Sequence, residues 1–267
     1  MYYIGKYFDT FEMALEQLLY GAHCRPIPFI DCLCLRCFGF RVEGAVETWF
    51  QPYVSLPASM QAFSAAVGLQ MNCKEIQTLN QLPGGCGEAL LGPVTEGITA
   101  PEIQSYYYRA GTYLFLRRCS STEWMVYDPR GWSGLPLPQE LLDRLIPPCG
   151  TFCVWLAGPG GGTPANPRDI LARGLAYHRR IAEDEDRQLT RACGGYEPGR
   201  KNDLSLRYAV WNLLQRMDKV FTLAAACGWD VETRYQAEKQ PLFFVGPSDP
   251  MTLREAILNM WRILDDG

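Results

Sequence analysis

The sequence predicts an α+β protein in two parts: a domain with an antiparallel sheet over residues 1–162, then an α-helical domain over residues 163–267. Three observations carry this. The first 157 residues run helical patterns first and short strand patterns afterwards, an order that goes with segregated helices and strands. Gly158–Pro167, GPGGGTPANP, is the clearest break in composition. Beyond that break only helix-period apolar patterns appear.

The elements follow in order. Phe8 to Leu19 has Phe8, Phe11, Leu15, Leu18 and Leu19 at helical spacing, with Asp9 or Thr10 as cap and Gly21 as its end. A second helix is expected from Pro26 or Pro28, since proline fits a first turn, running to Phe38 with Gly39 as a left-handed stop. Short helices follow at Glu43–Phe50 and Ala58–Val67. Leu69–Leu79 alternates like a strand, and Ala89–Val94 reads as a short buried one. Tyr106–Arg117 and Glu123–Tyr127 flank the polar turn CSST as a hairpin, DPRGWSG is a turn, Gln139–Leu145 a short helix and Thr151–Ala157 a last strand. In the second domain Asn166 caps a helix that carries Pro167 in its first turn and runs to about Gln188, and RACGGYEPGRKN is a loop. Asp203 opens a long helix stopped by Gly228, and Ser248 or Asp249 caps a final one that ends at Leu264.

Composition narrows the function. Hydrophobic residues make up 48% and charged residues 20% of the chain, enough to build a sizeable core. A net charge of −4 with no concentrated basic surface argues against nucleic acid as a partner. No apolar run reaches membrane-spanning length, so no membrane partner is expected. The start, MYYIGKYFDTFEMALEQ, carries acids inside its first apolar segment, which does not suit a secretory signal, and a cytoplasmic location is expected. Eleven cysteines cannot all pair within one chain, and reduced thiols are expected. Only His23 and His178 can supply an imidazole.

Candidate chemistry centres on Gly21–Phe40, GAHCRPIPFIDCLCLRCFGF. At the start of a helix the free N–H groups and the helix dipole favour a thiolate, so Cys24 is the candidate nucleophile; the alternative is one more buried structural cysteine. Cys32, Cys34 and Cys37 form C-x-C-x-x-C, but on a helix they fan over too wide an arc to converge on a metal, and Leu33 and Leu35 between them point to core. No metal and no cofactor are expected. Cys86, in PGGCGE, is a candidate reactive thiol in an exposed loop. GPGGGT lies between a strand and a helix like a phosphate cradle, yet it lacks the lysine of a P-loop and reads as an interdomain linker. His178 shares a helix face with Ile170, Gly174, Leu175 and Ile181, which suits a core histidine. ARGLAYHRRIAEDEDRQ reads as a solvated helix face.

GAHC followed by an apolar helix, then GF and Glu43, is similar to the N-terminal motif of the butirosin biosynthesis protein H family, whose members resemble papain-like and C39-like cysteine peptidases. The resemblance spans about the first 157 residues, with a looser likeness of the helical tail to the family's second domain. It implies a papain-like cysteine-peptidase-type domain. It also implies a cysteine-dependent acyl or amide transferase of specialised metabolism, moving an acyl group from a carrier-protein thioester to an amine acceptor. Cys24 then matches the nucleophile, and Asp128, in TEWMVYDP, the orienting carboxylate. The family's histidine would fall in GTYLFLR, where Gly111 or Thr112 stands instead. His23, beside Cys24, is the remaining imidazole candidate, with loop packing as its alternative role, and Asp128 can equally cap the DPRG turn. The missing histidine defines the other reading, a non-catalytic pseudoenzyme that binds or assembles.

Overall fold

The structure, a computed structural model, describes residues 10–23, 27–42, 50–94, 112–127, 134–158, 165–195, 200–244 and 250–267. The chain divides into two compact units: Met1–Ile30 with Phe63–Thr163, and Asp31–Ala62 with Pro164–Gly267. Division at residue 162 places residues 31–62 with the sheet; the structure groups them with the C-terminal helices instead. Among the described residues no helix is long and apolar enough to cross a membrane.

The first unit is α+β. Its sheet has six antiparallel strands, β3 (Met71–Ile76), β4 (Glu88–Val94), β5 (Thr112–Arg118), β6 (Glu123–Tyr127), β7 (Leu135–Pro138) and β8 (Thr151–Leu156), in the order β3-β8-β4-β5-β6-β7. Alternation sorts the side chains into two faces. Ala89, Leu91, Leu114, Leu116, Trp124, Val126, Leu137 and Cys153 join one core, closed by Leu79, Leu142 and Leu145. On the opposite side the Tyr113 ring meets Phe11 edge-on at 5.3 Å, and helix α1 (Thr10–His23) packs along β5 and β4. Trp124 is fully buried with its one polar atom satisfied: the indole N–H donates to Gln139 Oε1 at 3.3 Å, and Gln139 Nε2 donates to Asn80 Oδ1 at 2.7 Å.

Two features of this unit depart from the sequence pattern. β7, LPLP, was not expected: it follows the DPRGWSG turn, and its prolines argue against a strand. It lies at the sheet edge, where the absent N–H of Pro136 and Pro138 leaves no inner ladder broken. Helix α1 does not stop at Gly21 but runs on to His23. Of the predicted hairpin strand Tyr106–Arg117, the part before residue 112 lies outside the described residues.

In the second unit α5 (Pro167–Gly194), α6 (Arg200–Ala226), α7 (Glu232–Phe244) and α8 (Pro250–Asp265) form a ring of neighbours, each packed on the next and α8 back on α5. Asn166 caps α5, its side chain accepting from the Arg168 N–H, and Gly228 follows α6 with φ +87°. The predicted RACGGYEPGRKN loop is shorter than expected, since α5 continues to Gly194 and α6 begins at Arg200. Helix α7 has no clear apolar stripe and carries Pro241 inside it. Tertiary contacts hold it to α6: the Tyr235 ring stacks on Phe221 at 3.9 Å, and Asp218 accepts from both the Tyr235 hydroxyl and Lys239 Nζ at 2.6 Å.

Residues 31–62 lie in this unit, against the helices. The helix expected from Pro26 to Phe38 shrinks to α2 (Ile30–Leu33). Phe29 and Leu35 adopt left-handed φ of 59° and 60°, and the chain turns back with Leu35 N–H on Cys32 O and Arg36 N–H on Asp31 O. After the turn β1 (Phe40–Arg41) pairs with β2 (Gln51–Pro52). Of the predicted helix Glu43–Phe50, residues 43–49 lie outside the described residues; Ala58–Val67 is found within α3 (Leu56–Val67), and the boundary between the units falls inside it.

Gly39 is not a left-handed stop. A Cβ there would sit 2.1 Å from Ile181 Cδ1, so close approach of the chain to α5 is what requires glycine. Gly174 on α5 serves the same contact, since a Cβ there would meet the Phe38 ring at 2.2 Å. In an open helix Gly→Ala stabilises by up to about 1 kcal/mol. Here Gly174→Ala should lower stability by about 1–3 kcal/mol through overpacking, read from the urea unfolding midpoint; a gain would show that Phe38 yields freely.

Candidate functional site

The residues singled out for catalysis are delivered by the first unit. Cys24 and Asp128 lie outside the described residues, and of His23 only the backbone, at the last position of α1, is described. The elements leading to them are well defined. Thr10 Oγ1 accepts the Tyr113 N–H at 2.9 Å, which fixes the first residue of α1 at the start of β5. Tyr127, which ends β6, lies opposite Phe115, so the chain departs toward Asp128 from that same end of β5. The fourteen residues of α1 rise about 20 Å, and the chain leaves toward Cys24 from the far end of the helix. The long helix expected to follow Cys24 is replaced by the four residues of α2, too short to carry a helix dipole of any consequence. β5 itself, TYLFLRR, has no histidine.

The other thiols flagged from sequence, Cys32, Cys34, Cys37 and Cys86, are all buried. Cys86 is not exposed: it joins the core of the sheet unit, its Sγ lies 3.5 Å from Glu88 O, and burial pushes its pKa up. Cys32, Cys34 and Cys37 are all fully buried, with Cys32 on α2 and the other two in the turn after it. A hydrogen bond with Cys37, reinforced by burial, holds the Cys32 thiol well above its usual range. Among the described residues no group of three or more His, Cys, Asp or Glu converges to hold a metal.

Chemistry that the sequence reading missed lies inside the helical unit. Asp31 is fully buried and forms an ion pair with Lys219 of α6; Arg36 Nε lies 3.6 Å from its other oxygen. Arg216 of α6 donates to Arg36 O at 3.3 Å, so two side chains of α6 grip the turn that follows α2. The Asp31 carboxylate thus faces two cations, buried Arg36 and part-buried Lys219.

The second cluster lies on α5. Glu185 is 4% exposed, and each of its oxygens accepts one hydrogen bond: Oε2 from the Phe40 N–H of β1 at 2.8 Å, Oε1 from the Trp261 indole of α8 at 3.2 Å. One turn on, Gln188 Oε1 accepts the Val42 N–H at 3.0 Å, so α5 satisfies two donors on the outer edge of the β1 segment with side chains. Two turns back, His178 stacks on Trp261 with ring centroids 3.7 Å apart, 6% exposed and bonded to the backbone of Phe38. Its Nδ1 is buried without a hydrogen-bond partner among the described residues. Burial drives the two groups in opposite directions: Glu185 is pushed up to about 7 against the pull of its two donors, and His178 down to about 4. At neutral pH His178 is therefore a neutral core residue rather than an available base.

A signal for Glu185 was present. AEDEDRQ read as solvated, but Leu171, Leu175, His178, Glu185 and Leu189, all buried, recur at three-, four- and seven-residue spacing. Asp184 and Asp186 stand off that stripe: Asp184 accepts from the Tyr53 hydroxyl at 2.8 Å, and Asp186 forms a two-pronged pair with Arg254 at 2.7 Å.

No family model matches the chain, and no curated protein matches it.

Asp31→Asn should cost about 3–5 kcal/mol, because it removes the carboxylate charge from a buried ion pair. Lys219→Met should cost distinctly less, since Arg36 still faces the carboxylate; urea unfolding of both variants checks the order. The two titrating groups of α5 give a pH prediction. The Glu185 contribution to stability is fully present below its ordinary value of 4.5 and is lost as pH rises through about 7. The His178 contribution is present above its ordinary 6.5 and is lost as pH falls through about 4. Between 4.5 and 6.5 they oppose each other. Glu185→Gln should therefore unmask a stability that climbs with pH across that window, seen in unfolding curves at successive pH values, where the wild type is nearly flat.

Proposed function

We propose that this chain is a non-catalytic binding or assembly protein on a butirosin H-like, papain-like scaffold. One observation carries the reading: the one described imidazole, His178, is not available for catalysis. His178 is committed to the core of the helical unit against Trp261, and β5 has no histidine where the family pattern would place one. A cysteine transferase needs a group to take the thiol proton and to return it to the leaving group. The short α2 weighs in the same direction, because it removes the long helix whose N–H groups would favour a thiolate and hold an oxyanion.

A second reading is favoured by the retained residues of the family pattern, Cys24 as nucleophile and Asp128 in TEWMVYDP as orienting carboxylate. In this reading the chain is a cysteine-dependent acyl or amide transferase. His23 takes the Cys24 proton, the thiolate attacks the carbonyl of a carrier-bound thioester, and the carrier thiol leaves with that proton. An amine acceptor then attacks the acyl-cysteine and releases Cys24, with Asp128 orienting the imidazole.

Haloacetamide labelling across pH, resolved by peptide mass so that each of the eleven cysteines is followed separately, distinguishes the two. In the binding protein Cys24 reacts at pH 6 no faster than free cysteine, whose thiolate fraction there is well below about 1%. A rate at pH 6 that is at least about tenfold higher, and that is lost in His23→Ala, establishes the transferase instead.

A further inference from the structure

The two edges of the six-stranded sheet differ in what they offer a further strand. In an antiparallel ladder alternate residues turn both backbone polar groups toward one neighbour, and the residues between them turn theirs the other way. On β7 the Gln139 N–H bonds to Thr122 O, and Leu137 lies opposite Trp124, so Leu135 and Leu137 turn inward to β6 and Pro136 and Pro138 outward. The outward positions of that strand have no N–H to give. On β3 the Ala157 N–H bonds to Gln70 O, and Met71 lies opposite Leu156. Asn72, Lys74 and Ile76 therefore bond to β8, while Met71, Cys73 and Glu75 turn outward. Side chains close the two ends of this outward row: Ser64 Oγ accepts the Met71 N–H at 3.2 Å, and Gln81 Oε1 accepts the Gln77 N–H at 2.6 Å. Between them the N–H and C=O groups of Cys73 and Glu75 have no hydrogen-bond partner among the described residues. Asn72, Lys74 and Glu75 are exposed, and β3 contains no proline.

We propose that this open stretch of β3 pairs with the same stretch of a second copy of the chain, antiparallel about a two-fold axis at Cys73, so that two sheets join into one. The occupant follows from the register. With Cys73 opposite its own copy, every outward residue meets an outward residue. The two Cys73 residues exchange both their bonds, and each Glu75 N–H meets the Met71 C=O across from it. The one donor this pairing does not need, the Met71 N–H, is the one that Ser64 already holds. Neighbouring registers fit worse. Moving the axis on to Lys74 sets that residue opposite itself, in the kind of pair where side chains come closest and like charges repel. Moving it back to Asn72 sets Met71, its N–H taken, against Cys73 and leaves Glu75 facing Leu69, before the start of the strand. In the proposed register Lys74 lies across from Asn72, whose amide oxygen accepts from an ammonium group. The contact is self-complementary and closes at two copies, since β7 at the far edge has only prolines at its outward positions. It involves the sheet edge alone and stands under either functional reading.

Sedimentation velocity of the intact chain under reducing conditions, from about 1 to about 100 µM, tests this. A monomer–dimer equilibrium is expected, with dimer predominant at the upper concentration. Hydrogen exchange followed by NMR should slow at the Cys73 and Glu75 amides as dimer forms, and stay unchanged at Met71, which Ser64 holds in both states. Cys73→Pro removes an outward N–H without touching the ladder to β8, and should be monomeric throughout with the circular dichroism of the wild type. Asn72→Lys places like charges opposite each other and should weaken the dimer at least about twofold, whereas Asn72→Asp, opposite Lys74, should tighten it at least about twofold. A wild-type chain that stays monomeric at about 100 µM, its edge left to another protein's strand or to none, overturns the proposal. So does a dimer that survives Cys73→Pro, one whose Cys73 and Glu75 amides exchange as in the monomer, or one that the two Asn72 variants do not shift in opposite directions.

Discussion

The Glu185 carboxylate sets the arrangement of the helical unit. A carboxyl this deeply buried is tolerated only with hydrogen bonds in place, and it takes them from a strand and from a helix far apart in sequence. That requirement dictates its surroundings. β1 must lie against α5 closely enough for Phe40 to donate, and such closeness demands glycine at 39 and 174, where any side chain would collide with Ile181 or Phe38. Trp261 must turn its indole N–H inward, and its face is then available for His178 to stack upon. Phe40 completes the packing, its ring 6.2 Å from Trp261 and 5.9 Å from Phe50.

The turn after α2 is governed by the same kind of constraint with the signs reversed. Asp31 is as deeply buried as Glu185, but it meets cations rather than neutral donors. It therefore fastens the turn to α6 by charge, while Glu185 fastens β1 to α5 and α8 by hydrogen bonds alone. The two differ in their partners: Asp31 meets cations, whereas Glu185 lies among an indole, an amide and alkyl groups, and burial pushes its pKa up. Among the described groups of the helical unit, burial pushes Glu185 up to about 7 and His178, the only described histidine side chain, down to about 4.

For function, the two units carry unequal information. In the sheet unit a complete set of catalytic partners is not assembled among the described residues, and the strand expected to bear a base is filled by Tyr113, Leu114, Phe115 and Leu116. In the helical unit the polar groups are ones that hold elements together.

The sequence by itself determined the α+β order, the six-stranded sheet apart from its proline-rich edge, and helices α5, α6 and α8, with the Asn166 cap of α5 and the Gly228 stop after α6, because these depend on local periodicity and on residues that act within one turn. It also singled out Cys24 and Asp128, but only as residue types in a familiar pattern. Tertiary structure decided the rest. β7 exists because it lies at an edge where proline costs no bond, and α7 because Asp218 and Phe221 hold Tyr235. The helix expected after Pro26 gave way to a turn that Asp31 ties to α6, and residues 31–62, expected in the sheet domain, group with the helical unit. Glu185 looked like one more acid in a solvated run. Only the arrival of Phe40 and Trp261, 145 and 76 residues away along the chain, made it the buried centre of that unit, since burial is a property of what packs around a side chain and not of the side chain itself.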